Sequence, residues 1–440
     1  MLDIKFIREY PDKIREGLAK RGVGFDVAHL LEIDEKRRAK IQEVDGLRAR
    51  QNAVSEEIAR LAGGEREVKI SEMQTLKARL GDLEFELKAV EEEFAGLMYQ
   101  MPNLPAEDVP VGPDEHHNKV LREVGEKPRL VFKPKDYIEL GEALDLIDTV
   151  RAAKVSGSRF GYLKHEAPLL EFAIVQLVFG RLSDAAWLRS VIKNAGLDVP
   201  VRPFIPLVPP VLVRPEAFRA MGKLDPGQEE ERYYLPKDDL YLVGSAEHST
   251  GPLHMGEVFD GQNLPHRHIA FSASFRREAG SYGKDTRGIM RVHQFDKLEM
   301  FSFSHPEHSF AEHDFFLAVQ EGLMQELGLP YRVVLNCTGD TVWDGVKQYD
   351  IETWLPGSSG GIYRETHSTA NSTDFQARRL GTKFRAEDGK TDFVHTVNGT
   401  AFAIGRTLIA ILENYQQADG SVAVPEALWP YMHGIKEIKR

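Results

Sequence analysis

"HIAFSASFRREAGSYGKDTRGIMRVHQFDKLEMF" spans residues 268–301 and reads as two alternating stretches around a charged, glycine-rich centre. Successive side chains of a strand point to opposite faces. On that rule Ile269, Phe271, Ala273 and Phe275 share one face, and Ser272, Ser274, Arg276 and Glu278 the other. After the centre, Arg291, His293, Phe295, Lys297 and Glu299 fall together, opposite Val292, Leu298 and Met300. The pattern predicts a hairpin with an apolar packing face and a second face of arginines, carboxylates and one aromatic ring. Cross-strand ion pairs on a solvated face account for the charges, but not for a phenylalanine among them. A ring flanked by guanidinium groups suits a nucleobase and its phosphates. The connection "FRREAGSYGKDTRG", residues 275–288, carries three arginines, a lysine, two carboxylates and three glycines. The strand faces are expected to be the site and residues 279–287 its lid, with Arg277 turned to the packing side.

Outward from the hairpin, "LLEFAIVQLVFGRL" (169–182) predicts a buried helix, and "RPFIPLVPPVLV" (202–213) an extended apolar segment. "GRTLIAILENYQQADG" (405–420) predicts a closing helix with Gly420 as its C-terminal stop. Strands follow one another with few helices between them, which favours an α+β domain on an antiparallel sheet over a Rossmann fold. The chain has no GxGxxG or GxxxxGK[ST] run, so neither of those nucleotide sites is supported.

The first hundred residues are different in kind. From about 30 to 99 the chain lacks proline, and Leu76, Leu80, Leu83, Leu87, Val90, Phe94 and Leu97 recur in steps of four and three. Leu47, Gln51, Val54, Ile58 and Leu61 continue that alternation upstream. Between the two runs, "AGGEREVKIS" (62–71) is expected to be the turn, with Ser71 capping the second helix. The result is an antiparallel helical arm; at 1.5 Å per residue, some 30 residues reach about 45 Å. "EKRRAK" and "LRAR" make the first helix basic, and "EFELKAVEEEF" makes the second acidic. Such charge runs are usually just solvated, but a basic stripe on a projecting arm also suits folded RNA. The proline-rich "QMPNLPAEDVPVGPDE" (100–115) marks the exit from the arm.

Composition sets outer bounds. With 42% hydrophobic and 28% charged residues the chain is of the globular type, and 440 residues suggest two or three domains. The formal charge of -12 argues against a general polyanion-coating protein. Cys337 is the only cysteine, which excludes disulfide scaffolds and cysteine-built zinc sites, so no zinc is expected. No stretch has the length and apolarity of a signal peptide or a membrane span, so a cytoplasmic protein without a membrane partner is expected.

Several of these stretches together resemble a known family. "SGSRFGYLKHEAPLLEFA", "LVGSAE", "FRREAGSYGKDTRGIMRVHQFDKLE", "CTGD", "YDIETWLP", "YRETHSTANSTDFQARR" and "NGTAFAIGRTLIAILENYQQADGSVAVPEAL" occur in an order that closely resembles bacterial-type seryl-tRNA synthetases, class II aminoacyl-tRNA synthetases. The resemblance implies a helical arm domain over 1–100, a linker over 101–135 and a class II catalytic domain over 136–440. Motif 1 would lie at about 156–215, motif 2 at about 268–303 and motif 3 at about 393–420. It implies a six- or seven-stranded antiparallel catalytic sheet and a homodimer built partly through motif 1. The implied substrates are L-serine, ATP with Mg2+, and tRNA(Ser) held by the arm and the acceptor end, with selenocysteine tRNA as a further candidate. Serine would attack the α-phosphate of ATP to give seryl-adenylate, which the 3′-terminal ribose of tRNA then attacks. That chemistry asks for charge stabilisation at phosphorus rather than a protein nucleophile.

Carried over residue by residue, the resemblance implies that Arg276 holds the α-phosphate and the reacting carboxylate. Glu278 would contact adenine, Phe295 would stack on it, and Arg406 would cover its other side and reach the γ-phosphate. The implied ATP set also includes Arg277, Arg291, Val292, Thr366 and His367, with Glu365 and Ser368 as magnesium ligands. Serine would meet Ser245, Ala246, Glu247, Arg276, Glu299, Asn398 and Thr400; a site that bonds its hydroxyl rejects alanine. The chain departs from the family at Ser245, at His367, Thr369 and Ala370, and at Ala401 and Phe402, the last two expected to crowd the floor beside Thr400. The alternative reading is an atypical paralogue that charges a different acceptor or only binds tRNA. Loss of Arg276, Glu299, Glu365 or Arg406 would mark a non-catalytic one, and all four are present.

Overall fold

The computed structural model describes residues 1–224, 228–279 and 287–440. The chain divides into two units: Leu2–Ala19 with Val23–Pro102, and Met1 and Lys20–Gly22 with Asn103–Arg440.

The smaller unit carries the arm, α1 (Val27–Arg60) and α2 (Gly63–Tyr99). Asp26 caps α1 by accepting from the His29 N–H at 3.0 Å. The 34 residues of α1 make a rod about 50 Å long. The reversal is shorter than the sequence suggests. Only Leu61 and Ala62 separate the helices, Gly63 takes a left-handed φ of 65°, and Ser71 lies inside α2 rather than capping it. The heptad residues line the shared seam, where Val44, Val54 and Leu76 are buried and Leu80, Leu83, Leu87 and Val90 half-buried. The basic stripe of α1 is met by the acidic α2: Arg48 reaches Glu84 and Arg50 reaches Glu72, each at 2.7 Å, and Lys40 pairs with Glu86. Much of the charge that looked available to RNA is therefore already paired.

The larger unit is built on β1 (Lys119–Val124), β2 (Ile205–Leu207), β3 (His266–Phe275), β4 (Gln294–Ser304), β5 (Tyr331–Leu335), β6 (Lys347–Leu355), β7 (Ile362–Thr373) and β8 (His395–Ala403). These eight strands form one sheet in the order β1-β5-β6-β7-β8-β4-β3-β2. Every pairing is antiparallel except the edge pair β2–β3. The α+β antiparallel expectation holds, with two short edge strands bringing the count to eight. Helices α3 (Glu166–Leu182), α4 (Ser309–Glu326) and α5 (Ile404–Asn414) share one core cluster with Ile269, Leu298, Met300 and Phe402. α5 ends at Asn414; Gly420 belongs to a later turn, its N–H donating to the Gln417 carbonyl at 3.0 Å.

β3 and β4 pair in the register the alternation predicts. Ser274 faces Phe295, Ser272 faces Lys297 and Ala270 faces Glu299, while Phe271 with Leu298 and Ile269 with Met300 supply the core side. The polar face is not a solvated one, in line with the phenylalanine among its charges: Ser272, Ser274, Lys297 and Glu299 are all buried. The strands stop earlier than expected, at Phe275 and Gln294, so the period does not govern Arg276, Arg277, Glu278, Arg291 or His293. Glu278 sits at a left-handed φ of 53°, and Arg277 is exposed over the Tyr233 ring rather than packed. Residues 280–286 of the expected lid lie outside the described residues.

Candidate active site

The polar face of β4 and β8 is the floor. Glu299 stands directly opposite Thr400, and Phe301 opposite Asn398, so these side chains share a face. A bulge between Leu298 and Glu299 takes up Ala401 and restores the pairing at Phe402 with Leu298, on the core side. Phe402 therefore does not crowd Thr400. Its ring lies 5.1 Å from that of His367, so these two family departures pack on each other in the core. His367 is a buried strand residue and not a loop histidine; burial brings it down to about 3, which keeps it neutral. Its neighbour Thr366 is buried as well, its hydroxyl 2.7 Å from that of Thr353. The Val292 side chain likewise joins the core cluster.

At one end of the floor the Arg276 guanidinium lies over the Phe295 ring, 5.2 Å from its centroid, and donates from Nε to the Gly244 carbonyl at 3.1 Å. Its backbone N–H donates to the His293 carbonyl at 3.0 Å, extending the β3–β4 ladder by one bond. Beside it Arg291 meets the Glu278 carboxylate at 3.3 Å. A cation beside an aromatic ring is a pairing suited to an aromatic, phosphorylated ligand.

β7 and the first turn of α5 contribute a second cluster. Arg406 donates to the Glu365 carbonyl at 2.7 Å and stands 3.3 Å from its carboxylate. Partial burial raises the Glu365 carboxyl, but Arg406, with Arg276 and Lys297 further off, outweighs this and holds it below its ordinary value. Half of that side chain remains accessible, and Ser368 is half-buried. Asp350, opposite Ser368 in the β6–β7 register, adds a buried carboxyl that accepts from Asn336 at 2.8 Å and Gln348 at 2.9 Å. An ionised carboxylate with a hydroxyl and a second carboxyl nearby is a donor set that fits Mg2+.

The third cluster centres on Glu247, at the start of the short helix Glu247–Thr250. Ser245 accepts from the Glu247 N–H at 3.2 Å, and Ala246 is fully buried beneath the turn. Glu247 Oε1 accepts from Asn398 Nδ2 and Gln376 Nε2, each at 3.0 Å, and stands 3.3 Å from Lys223 Nζ. Lys223 also meets Asp344 at 3.0 Å. Burial alone would lower the Lys223 ammonium, but Asp344 and Glu247 raise it, so it stays charged. A second lysine–glutamate pair, Lys297 with Glu299 at 2.5 Å, lies on the floor itself. His248, packed 4.6 Å from the Phe218 ring, accepts the Gly244 N–H on Nδ1 at 3.0 Å, and burial and Arg232 lower its basicity well below the ordinary value.

The structure thus brings together Arg276 with Phe295, Glu278 with Arg291, Glu365 with Arg406, and Glu247 with Asn398, alongside the facing pair Glu299 and Thr400. It leaves Arg277 on the surface and the side chains of Val292 and His367 in the core. Sequence reasoning missed Lys223, Asp344, Asp350 and Gln376. Gln376 stands inside the quoted "DFQARR" and could have been found there; isolated charges such as Lys223 and Asp344 carry no pattern.

Comparison with known proteins covers the whole chain. The seryl-tRNA synthetase N-terminal domain family matches residues 1–105, and the class II core domain of the G, H, P, S and T tRNA synthetases matches 233–415. A serine–tRNA ligase of Clavibacter michiganensis is 42% identical over 100% of this chain and 98% of its own length. That of Geotalea uraniireducens is 40% identical over the full length of both. The crystal structure of a seryl-tRNA synthetase from Pyrococcus horikoshii complexed with ATP superposes with a TM-score of 0.85 at 37% identity, covering 100% of this chain and 99% of that one. With the arm, the antiparallel sheet and the whole length matched, the chain belongs to the seryl-tRNA synthetase family of the class II tRNA synthetases.

Proposed function

We propose that this protein is a serine–tRNA ligase: the L-serine carboxylate displaces pyrophosphate from the α-phosphate of ATP to give seryl-adenylate, and the 3′-terminal ribose of tRNA(Ser) then takes the seryl group with release of AMP. The observation that carries the reading is the convergence of Arg276, Glu365 and Arg406 around a floor bearing Glu299 and Thr400. Positive charge held by backbone carbonyls and a carboxylate needs little rearrangement when an anionic phosphorane forms, and that preorganisation is the main catalytic resource for such chemistry. Arg276 neutralises the α-phosphate and aligns the serine carboxylate for in-line attack. Phe295 stacks on adenine, Glu278 bonds its edge with Arg291 beside it, and Arg406 reaches the γ-phosphate. The ATP surface continues through Arg277, the segment at Val292, and 366–368. Glu365 and Ser368 would hold Mg2+, which supplies charge neutralisation on the phosphates when bound.

Glu247, Asn398, Thr400 and Glu299 bind the serine ammonium and hydroxyl, with Ser245 and Ala246 shaping the pocket wall. Buried polar groups at that point penalise alanine, which would leave them unpaired. The arm unit, taken as residues 1–100 ahead of a linker and a catalytic domain from 136, binds tRNA. The protein acts as a cytoplasmic homodimer formed partly through residues 156–215. Serine-dependent exchange of pyrophosphate into ATP, followed by aminoacylation of tRNA, tests the reading. Absence of exchange refutes it, and exchange without charging points to a different acceptor.

A further inference from the structure

Two buried lysine–glutamate pairs sit in the candidate active site, and one of them has an anchor of its own. Lys223 follows the short helix Pro215–Ala220 and bridges Glu247 at 3.3 Å and Asp344 at 3.0 Å; the Asp344 side chain is only 1% exposed and that of Glu247 9%. Asp344 is itself fixed: its Oδ2 accepts from Gln376 Nε2 at 2.7 Å and from the Ser372 hydroxyl at 3.2 Å. Gln376 is oriented in turn by Thr396, whose hydroxyl donates to Gln376 Oε1 at 2.7 Å. Three donors therefore converge on Glu247 Oε1, and two of the residues that supply them, Lys223 and Gln376, are held by a second layer.

We propose that Lys223 is a positioning residue for amino-acid recognition: its ammonium, seated on Asp344, counters the burial of Glu247 and favours the charged form of that carboxylate, with Oε2 presented to the incoming serine. The inference rests on the seryl-ligase reading above. A buried carboxylate without a cation takes up a proton in preference to paying its desolvation, and a protonated Glu247 loses most of its attraction for an ammonium group. The groups that act on Glu247 have opposing signs. Burial raises its carboxyl, Lys223 lowers it, Asp344 and Glu299 raise it, and the sum stands above the ordinary value. Arg232 also feels Glu247, from the segment just beyond Gln228. Lys223 is thus the largest single influence keeping this carboxylate ionised.

The test uses the full-length protein in serine-dependent ATP–pyrophosphate exchange between pH 6 and 9.5. Lys223→Met keeps the length of the side chain and removes its charge. At pH 7 it should raise KM for serine about tenfold, the effect of one unit of pKa, with kcat and KM for ATP changed by less than about threefold. The defect should shrink as pH rises and Glu247 ionises. Lys223→Arg should restore KM in part. Asp344→Asn removes a group that raises Glu247, so it should move the serine KM profile toward lower pH, opposite to Lys223→Met. That opposite pair of shifts is something a merely structural role would not produce, and Asp344→Asn and Lys223→Arg carry the test even if Lys223→Met fails to fold. Unmoved KM profiles in the folded variants, or an equal loss of kcat at every pH, overturn the inference alone. A wild-type protein without serine-dependent exchange overturns the ligase reading, and this inference with it.

Discussion

The arm and the catalytic unit use the same ion-pair chemistry under opposite conditions. Arg48 and Glu84 meet at 2.7 Å with about half of each side chain exposed, whereas Lys223 and Asp344 meet at 3.0 Å almost wholly buried. An exposed pair gains little, because water and salt screen it and two long side chains must be held still. A buried pair is costly to assemble, but each partner then fixes the charge state of the other. The arm therefore draws its stability from the seam of Val44, Val54 and Leu76, and its charges chiefly keep two helices soluble and in register. In the larger unit the charges of the candidate site are buried, and the surrounding apolar core supplies a low dielectric that strengthens their mutual interaction.

That contrast can be broken at several points. The largest effect is expected for Arg276→Ala, which should lower exchange by about 10²–10³-fold, the loss typical of one preorganised transition-state donor. Exchange at wild-type levels would remove Arg276 from the chemistry. Next, deletion of residues 36–96 should leave serine-dependent exchange intact while tRNA charging falls by about two orders of magnitude, as when several phosphate contacts are lost. Undiminished charging would end the role assigned to the arm.

A smaller effect concerns stability against pH. Burial, reinforced by a hydrogen bond with Asp296, pushes the Glu171 carboxyl up to about 8 from an ordinary 4.5. A carboxyl raised on folding favours the native state fully below its unfolded value, and that advantage is lost as pH climbs toward the folded value. Glu171→Gln, neutral throughout, should therefore match the wild type near pH 4 and exceed it by about 1–3 kcal/mol at pH 8 in thermal or urea unfolding. A constant difference at all pH values would show that titration is not the cause. The smallest effect is expected in the arm, where Arg48→Ala should leave the melting temperature within about 2 °C. A larger drop would mean that the exposed pairs contribute more than the seam.

Part of the fold was legible because the relevant regularities are local. A four-three repeat of apolar residues marks a helix seam wherever it occurs, and the alternation in 268–301 assigned Phe295, Lys297 and Glu299 to the face they occupy. The ends of elements were less legible. Ser71 and Gly420 looked like stops, but the arm turns at Leu61 and Ala62, and α5 ends at Asn414. Alternation also does not report what covers a face. Phe295 argued against a solvated polar side on β3 and β4, but only the fold shows that Ser272, Ser274, Lys297 and Glu299 are all buried.

By itself the sequence determined the antiparallel α+β class, the helical arm, and the identity of the residues opposite one another in β3 and β4. Tertiary structure alone decided that Lys223, Glu247, Asp344, Gln376 and Asn398 would form one connected network, and that His367 and Phe402 would pack together in the core. The physical reason is range. Periodicity follows from backbone geometry over a few residues, whereas the ionisation of a buried carboxylate depends on every charge the fold brings near it.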